Sequence, residues 1–165
     1  IKVFVLVALT LAAMSVSAQV KLGHIETQKL IQAMPEWTAA QKTFEEEQKK
    51  VNTELNSLRE QFQTKLAEYS EKMKTYSEAM RATTEEELQG LQQRIQRFQE
   101  TAMAQLEKTQ NDLMQPVMEK ALNAIKEVGK ENGFTYIFDM NAGILYAAEN
   151  SQDVLPLVKK KLGLQ

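Results

Sequence analysis

A mostly helical α+β fold is what this 165-residue chain predicts, with one long antiparallel helical hairpin standing on a small β body. Three observations carry that reading. Apolar residues between Glu36 and Lys130 recur at helical spacing over two stretches of matching length. A helix-restart pattern at Thr84–Glu87 separates the two. β-prone runs stand near both chain ends, so one small sheet has to be assembled from segments that the helices bring back together.

The first 18 residues read as a leader. Val3 to Ala13 is an almost unbroken apolar run after Lys2, and Val16 and Ala18 occupy the −3 and −1 places of a small-residue cleavage site before Gln19. A bilayer-spanning helix needs about 20 apolar residues, so the run is too short for an anchor. The chain has no cysteine, which excludes disulfides, thiolate metal sites and lipid attachment through an N-terminal cysteine. Without Lys2 the 20 basic side chains become 19 against 22 acidic ones, a net charge of −3. That balance argues against a nucleic-acid partner, which calls for a basic stripe. A single hairpin this long cannot bury enough surface alone, because a rod has no centre, and self-association is the simplest remedy.

Residues 19–35 supply the first part of the body. Val20–Ile25 alternates as a strand, Thr27 caps a helical segment from Gln28 to Met34, and Pro35 both stops that segment and opens the next helix. Residues 36–130 form the arm. In its first half the apolar positions are Phe44, Val51, Leu55, Leu58, Phe62, Leu66, Tyr69, Met73, Tyr76 and Met80. From Val51 the steps are 4, 3, 4, 4, 3, 4, 3 and 4, a heptad seam with one extra step of four. In its second half they are Leu88, Leu91, Ile95, Phe98, Ala102 and Leu106. Folding the chain back at 82–84 sets the irregular step at Leu58–Phe62–Leu66 opposite the one at Phe98–Ala102–Leu106. Each arm then reaches ~65–70 Å at ~1.5 Å per residue.

Pro116 predicts a kink in the returning helix, and Gly129 and Gly133 its end. Residues 131–165 complete the body. Phe134–Phe138 and Ile144–Ala147, joined by the turn chemistry of Asp139–Gly143, predict a β-hairpin. Ser151 or Asp153 caps a last helix, Val154–Leu162, with Lys159, Lys160 and Lys161 at its negative end and Gly163 beyond.

A leader, a first strand ending near His24-Ile25, long charged arms, the run Tyr136–Tyr146 and a closing helix after Asp153 together resemble the Skp/OmpH family of periplasmic chaperones. The resemblance spans the chain beyond the leader. It implies a periplasmic homotrimer whose pooled β segments form one body, with helical hairpins around a cavity that holds unfolded outer-membrane proteins without ATP. The chain departs from the basic members of that family at the arm tip. Between Glu68 and Glu87 it sets Lys72, Lys74 and Arg81 against six glutamates, and such an acidic tip argues against lipid or lipopolysaccharide contact.

Holding unfolded chains calls for adaptable apolar surface, and methionine supplies it through a flexible, polarizable side chain. Met103, Met114 and Met118 each follow a seam residue and widen the apolar stripe, while Met73, Tyr76 and Met80 lie near the tip. These six are the candidate client-binding residues, and ordinary seam packing is the competing role for each. Trp37 suits the junction of arm and body, and His24, with no second histidine or cysteine, suits a structural place. The adjacent carboxylates Glu45, Glu46 and Glu47 point in different directions on a helix, and no phosphate-cradling loop is present. No cofactor, metal or enzymatic activity is expected. The alternative function is an envelope spacer or docking rod, for which coiled coil alone suffices.

Overall fold

The chain runs β1 (Leu22–Ile25), α1 (Thr27–Gln32), α2 (Pro35–Lys72), α3 (Glu78–Glu131), β2 (Tyr136–Asp139), β3 (Gln152–Asp153) and α4 (Leu155–Lys161). These elements come from a computed structural model that describes residues 20–144 and 146–164, so the leader read at residues 1–18 lies outside it. Among the described residues two compact units result: residues 29–122, and residues 20–28 together with those from 123 onward. Helices and a small sheet from both chain ends are the expected fold class.

The helical unit is an antiparallel pair. Met34 is extended (φ −81°, ψ 132°), and Pro35 takes the first helical position of α2, where its missing N–H removes nothing. Along α2 the buried or half-buried positions include Ala40, Phe44, Val51, Leu55, Leu58, Phe62 and Tyr69. Along α3 they include Leu88, Leu91, Ile95, Phe98, Ala102 and Val117. Each helix has one neighbour, so most seam residues are half-covered and only a few are fully buried. Leu66, placed in the seam by its spacing, is instead exposed.

The turn is not where the sequence places it. Helix α3 already begins at Glu78, and the break covers residues 73–77, so residues 82–84 are helical. Thr84 does not cap a helix; its hydroxyl donates to the carbonyl of Met80 (2.8 Å), and Thr83 does the same to Ala79 (3.1 Å). The cap is Ser77, whose Oγ accepts the N–H of Met80 at 3.3 Å. Moving the turn shifts the pairing of the arms by more than one helical turn. The interruptions at Phe62 and Ala102 therefore do not face each other. α3 runs on through Pro116 without interruption.

The other unit holds a three-stranded parallel sheet in the order β2-β1-β3. Leu22 pairs with Tyr136 and His24 with Phe138 on one side, and Gly23 pairs with Gln152 on the other. The expected β-hairpin does not form. β1 is the central strand and takes a parallel neighbour on each side, so the chain crosses over after β2 instead of folding back. Ile144, Tyr146 and Ala147 lie in that crossover, not in a strand. The turn after β2 is fixed by Asp139, which accepts the N–H of Asn141 through Oδ1 (3.0 Å) and that of Ala142 through its carbonyl (3.0 Å).

Ile25, Val128, Val154 and Val158 are buried in this unit. Gly23 permits the packing, since a Cβ there would stand 2.8 Å from the Phe134 ring and 3.0 Å from Val154. α3 and α4 both end in Schellman motifs. Gly133 (φ 68°) donates to Lys130 and Phe134 to Gly129; Gly163 (φ 70°) donates to Lys160 and Leu164 to Lys159. Gly129 is thus inside the last turn, not past it. The N-cap of α4 is Val154, not Ser151 or Asp153, although Leu155 N–H donates to Asp153 Oδ1 (2.8 Å) just ahead of the helix.

Candidate functional site

The hairpin's register is written in its polar pairs. Lys120 donates to Glu36, Lys65 pairs with Glu87, and the Tyr69 hydroxyl donates to Glu85. Rising numbers on α2 meet falling numbers on α3, which fixes the antiparallel sense. The hydrogen bond from Lys120 lowers the pKa of Glu36, and that to Glu87 raises the pKa of Lys65. These groups are half-exposed or exposed, so they set geometry more than stability.

Met73, Tyr76 and Met80 gather at the turn. Met73 directly follows α2, Tyr76 lies half-buried within the break with its ring 6.4 Å from that of Tyr69, and Met80 is exposed in the first turn of α3. The turn is clasped by Arg81, whose Nε donates to the carbonyl of Tyr76 (3.2 Å). Its charge differs from the sequence expectation. Residues 70–82 carry Lys72, Lys74 and Arg81 against Glu71 and Glu78 only. Glu85, Glu86 and Glu87 belong to the second and third turns of α3, and two of them are bound across to Tyr69 and Lys65. The acidic stretch read between Glu68 and Glu87 thus lies mostly on the helices flanking the turn.

The three methionines farther along α3 are not equivalent. Met103 is 74% exposed, and Met118 is also exposed. Met114 is half-buried and lines a cleft of about 110 Å³ between the helices with Ala40, Phe44 and Leu113. Met114 thus contributes to hairpin packing, while Met103 and Met118 face outward. Leu66 and Leu122 are also exposed.

A second exposed apolar surface lies on the sheet. Val20, Leu22, Tyr136 and Phe138 are all open to solvent, Tyr136 at 60%. Leu22 and Tyr136 are in register, and the rings of Tyr136 and Phe138 stack with centroids 6.1 Å apart. The period-two alternation of Val20 with Leu22 and of Tyr136 with Phe138 was the signal for this face. His24 lies between them on the same face of β1, with Ser151 Oγ 3.1 Å from its Nδ1. Among the described residues no helix is long and apolar enough to cross a membrane.

These features, long paired helices continuous with a sheet built from both chain ends, coincide with a known family. The family model for OmpH-like outer membrane proteins matches residues 21–162. The chain belongs to the OmpH-like family. No curated protein matches it significantly. Among solved structures it is similar to a Caulobacter crescentus protein described as an OmpH-like outer membrane chaperone, with a TM-score of 0.77 and 16% identity. That match covers 88% of this chain and 85% of the other. At that identity the likeness is one of fold. OmpH-like membership also accounts for a chain whose conspicuous surfaces are apolar and open and not clustered around reactive groups.

Proposed function

We propose that this OmpH-like protein is an ATP-independent periplasmic chaperone, a holdase that keeps unfolded outer-membrane proteins from aggregating on their way to the outer membrane. The family match over residues 21–162, hairpin and sheet together, is the observation that carries this reading. The Caulobacter relative's description as an outer membrane chaperone points the same way. Exposed Met103 and Met118 on the hairpin give adaptable apolar contacts that suit many client sequences. Met73, Tyr76 and Met80 would add a second set at the turn, and Met114 a partly covered one.

The open sheet face of Val20, Leu22, Tyr136 and Phe138 favours self-association, here into a trimer whose hairpins surround a common cavity. This face also weighs against the spacer reading, since a simple rod has no use for it. Multi-angle light scattering on the chain and on Leu22→Glu tests the assembly. A trimeric mass that falls to that of a monomer in the variant supports it. Met103→Gln with Met118→Gln tests the contacts: weakened holding with unchanged helicity supports their role, and unchanged holding removes them from it.

A further inference from the structure

We infer that unfolded polypeptide is held along one flank of the hairpin, where a stripe of glutamine amides on α3 hydrogen-bonds the peptide groups of an extended segment; this rests on the holding function proposed above. Gln89, Gln92, Gln93, Gln96 and Gln99 fall within eleven consecutive residues. At ~100° per residue they occupy an arc of about 120°, directly beside the seam formed by Leu88, Leu91, Ile95 and Phe98. Four of the five are exposed and Gln99 is half-buried.

None of these five amides is engaged by another group among the described residues. Three other glutamines of the arm are bound locally: Gln61 donates to Ser57 (3.3 Å), Gln105 to Thr109 (3.4 Å) and Gln115 to Glu119 (2.9 Å). The stripe borders an open groove of about 510 Å³ lined by Leu55, Gln96, Gln99, Glu100 and Met103. Leu55 and Met103 supply apolar contact for side chains, and the amides supply donors and acceptors for backbone.

The opposite side of the α3 seam has different chemistry. Its groove sets five charged residues, Glu60, Lys65, Glu68, Glu87 and Arg94, among uncharged ones that include Gln61, and the Lys65–Glu87 ion pair spans it. Charges there would select for complementary charge in a client and already satisfy one another in part. A peptide group carries one donor and one acceptor, and a primary amide matches both whatever the client's sequence. The partner that fits the glutamine flank is therefore an extended polypeptide with no required charge.

The test places a photo-cross-linking amino acid in the full chain at position 96 or, separately, at position 94, and adds a urea-unfolded outer-membrane β-barrel protein. Adducts that form mainly at 96 support the inference. Gln93→Met with Gln96→Met keeps length and helicity, adds apolar surface and removes amides. Each lost hydrogen bond should raise the half-protecting concentration by about fivefold. Adducts as strong at 94 as at 96, or a methionine variant that holds the client as well as the parent chain, would overturn it. Failure of the unsubstituted chain to protect the client at all overturns the holding function itself, an outcome separable from the other two.

Discussion

The hydroxyl of Tyr69, near the end of α2, donates to Glu85 on α3, sixteen residues later in the chain. With Lys65–Glu87 and Glu36–Lys120 it defines which residues of the two helices are neighbours. Zero-length carbodiimide coupling reads this register directly. Peptide mapping should show Lys65 joined to Glu87 and Lys120 to Glu36. A turn at residues 82–84 would instead bring Lys65 near Glu100, and a Lys65–Glu100 cross-link would contradict the observed pairing.

Ser77 should matter more than Thr84. As the side chain that accepts the Met80 N–H, Ser77 caps α3, and Ser77→Ala should cost about 1 kcal/mol. Thr84→Ala removes only a bond to its own helix, and alanine's higher propensity offsets it, so the change should be near zero. Urea unfolding followed by circular dichroism at one fixed protein concentration compares them.

Two glycines should respond in opposite directions. A Cβ at Gly23 would meet the Phe134 ring and Val154, so Gly23→Ala should destabilise by about 1–3 kcal/mol. Gly90 lies inside α3 with nothing within 4 Å of its would-be Cβ, so Gly90→Ala should stabilise by about 0.5–1 kcal/mol through helix propensity. Thermal melts of the two variants check the signs.

Asp139 ties the end of β2 to the start of α1, accepting the Thr27 N–H at 3.3 Å as well as that of Asn141. Burial pushes its pKa up, but the hydrogen bonds from Asn141 and Thr27 outweigh burial and hold it below the usual 3.8. A carboxylate with a depressed folded pKa stabilises fully above its unfolded value and loses that contribution as pH falls through the folded one. The stability gap between the chain and Asp139→Asn should therefore be constant near neutral pH and close below about pH 4. A gap that widens on acidification would contradict this sign.

Helical periodicity from Phe44 to Leu106 and the strands at Leu22 and Tyr136 were legible because spacing alone encodes them. The turn was not, since it uses no glycine, no proline and no residue of positive φ. It is closed by Lys72, whose carbonyl accepts the N–H groups of Thr75 and Tyr76 and the Thr75 hydroxyl. Thr84-Glu-Glu-Glu87 offered a stronger local signal, but the hydroxyl of Thr84 turned back into the helix. Ile144–Ala147 misled for another reason. Its β-prone composition says nothing of partners, and both edges of β1 are taken by β2 and by the short β3. Of the six candidate contact residues, spacing could not separate Met114, which lines the inter-helix cleft, from Met103 on the open side.

The most direct test of the holding function dilutes a urea-unfolded outer-membrane β-barrel protein into buffer with and without this chain, no nucleotide present, and follows light scattering. Scattering should be suppressed in proportion to the chain added, saturating near one trimer per client. Full aggregation of the client in the presence of folded, assembled chain would contradict it.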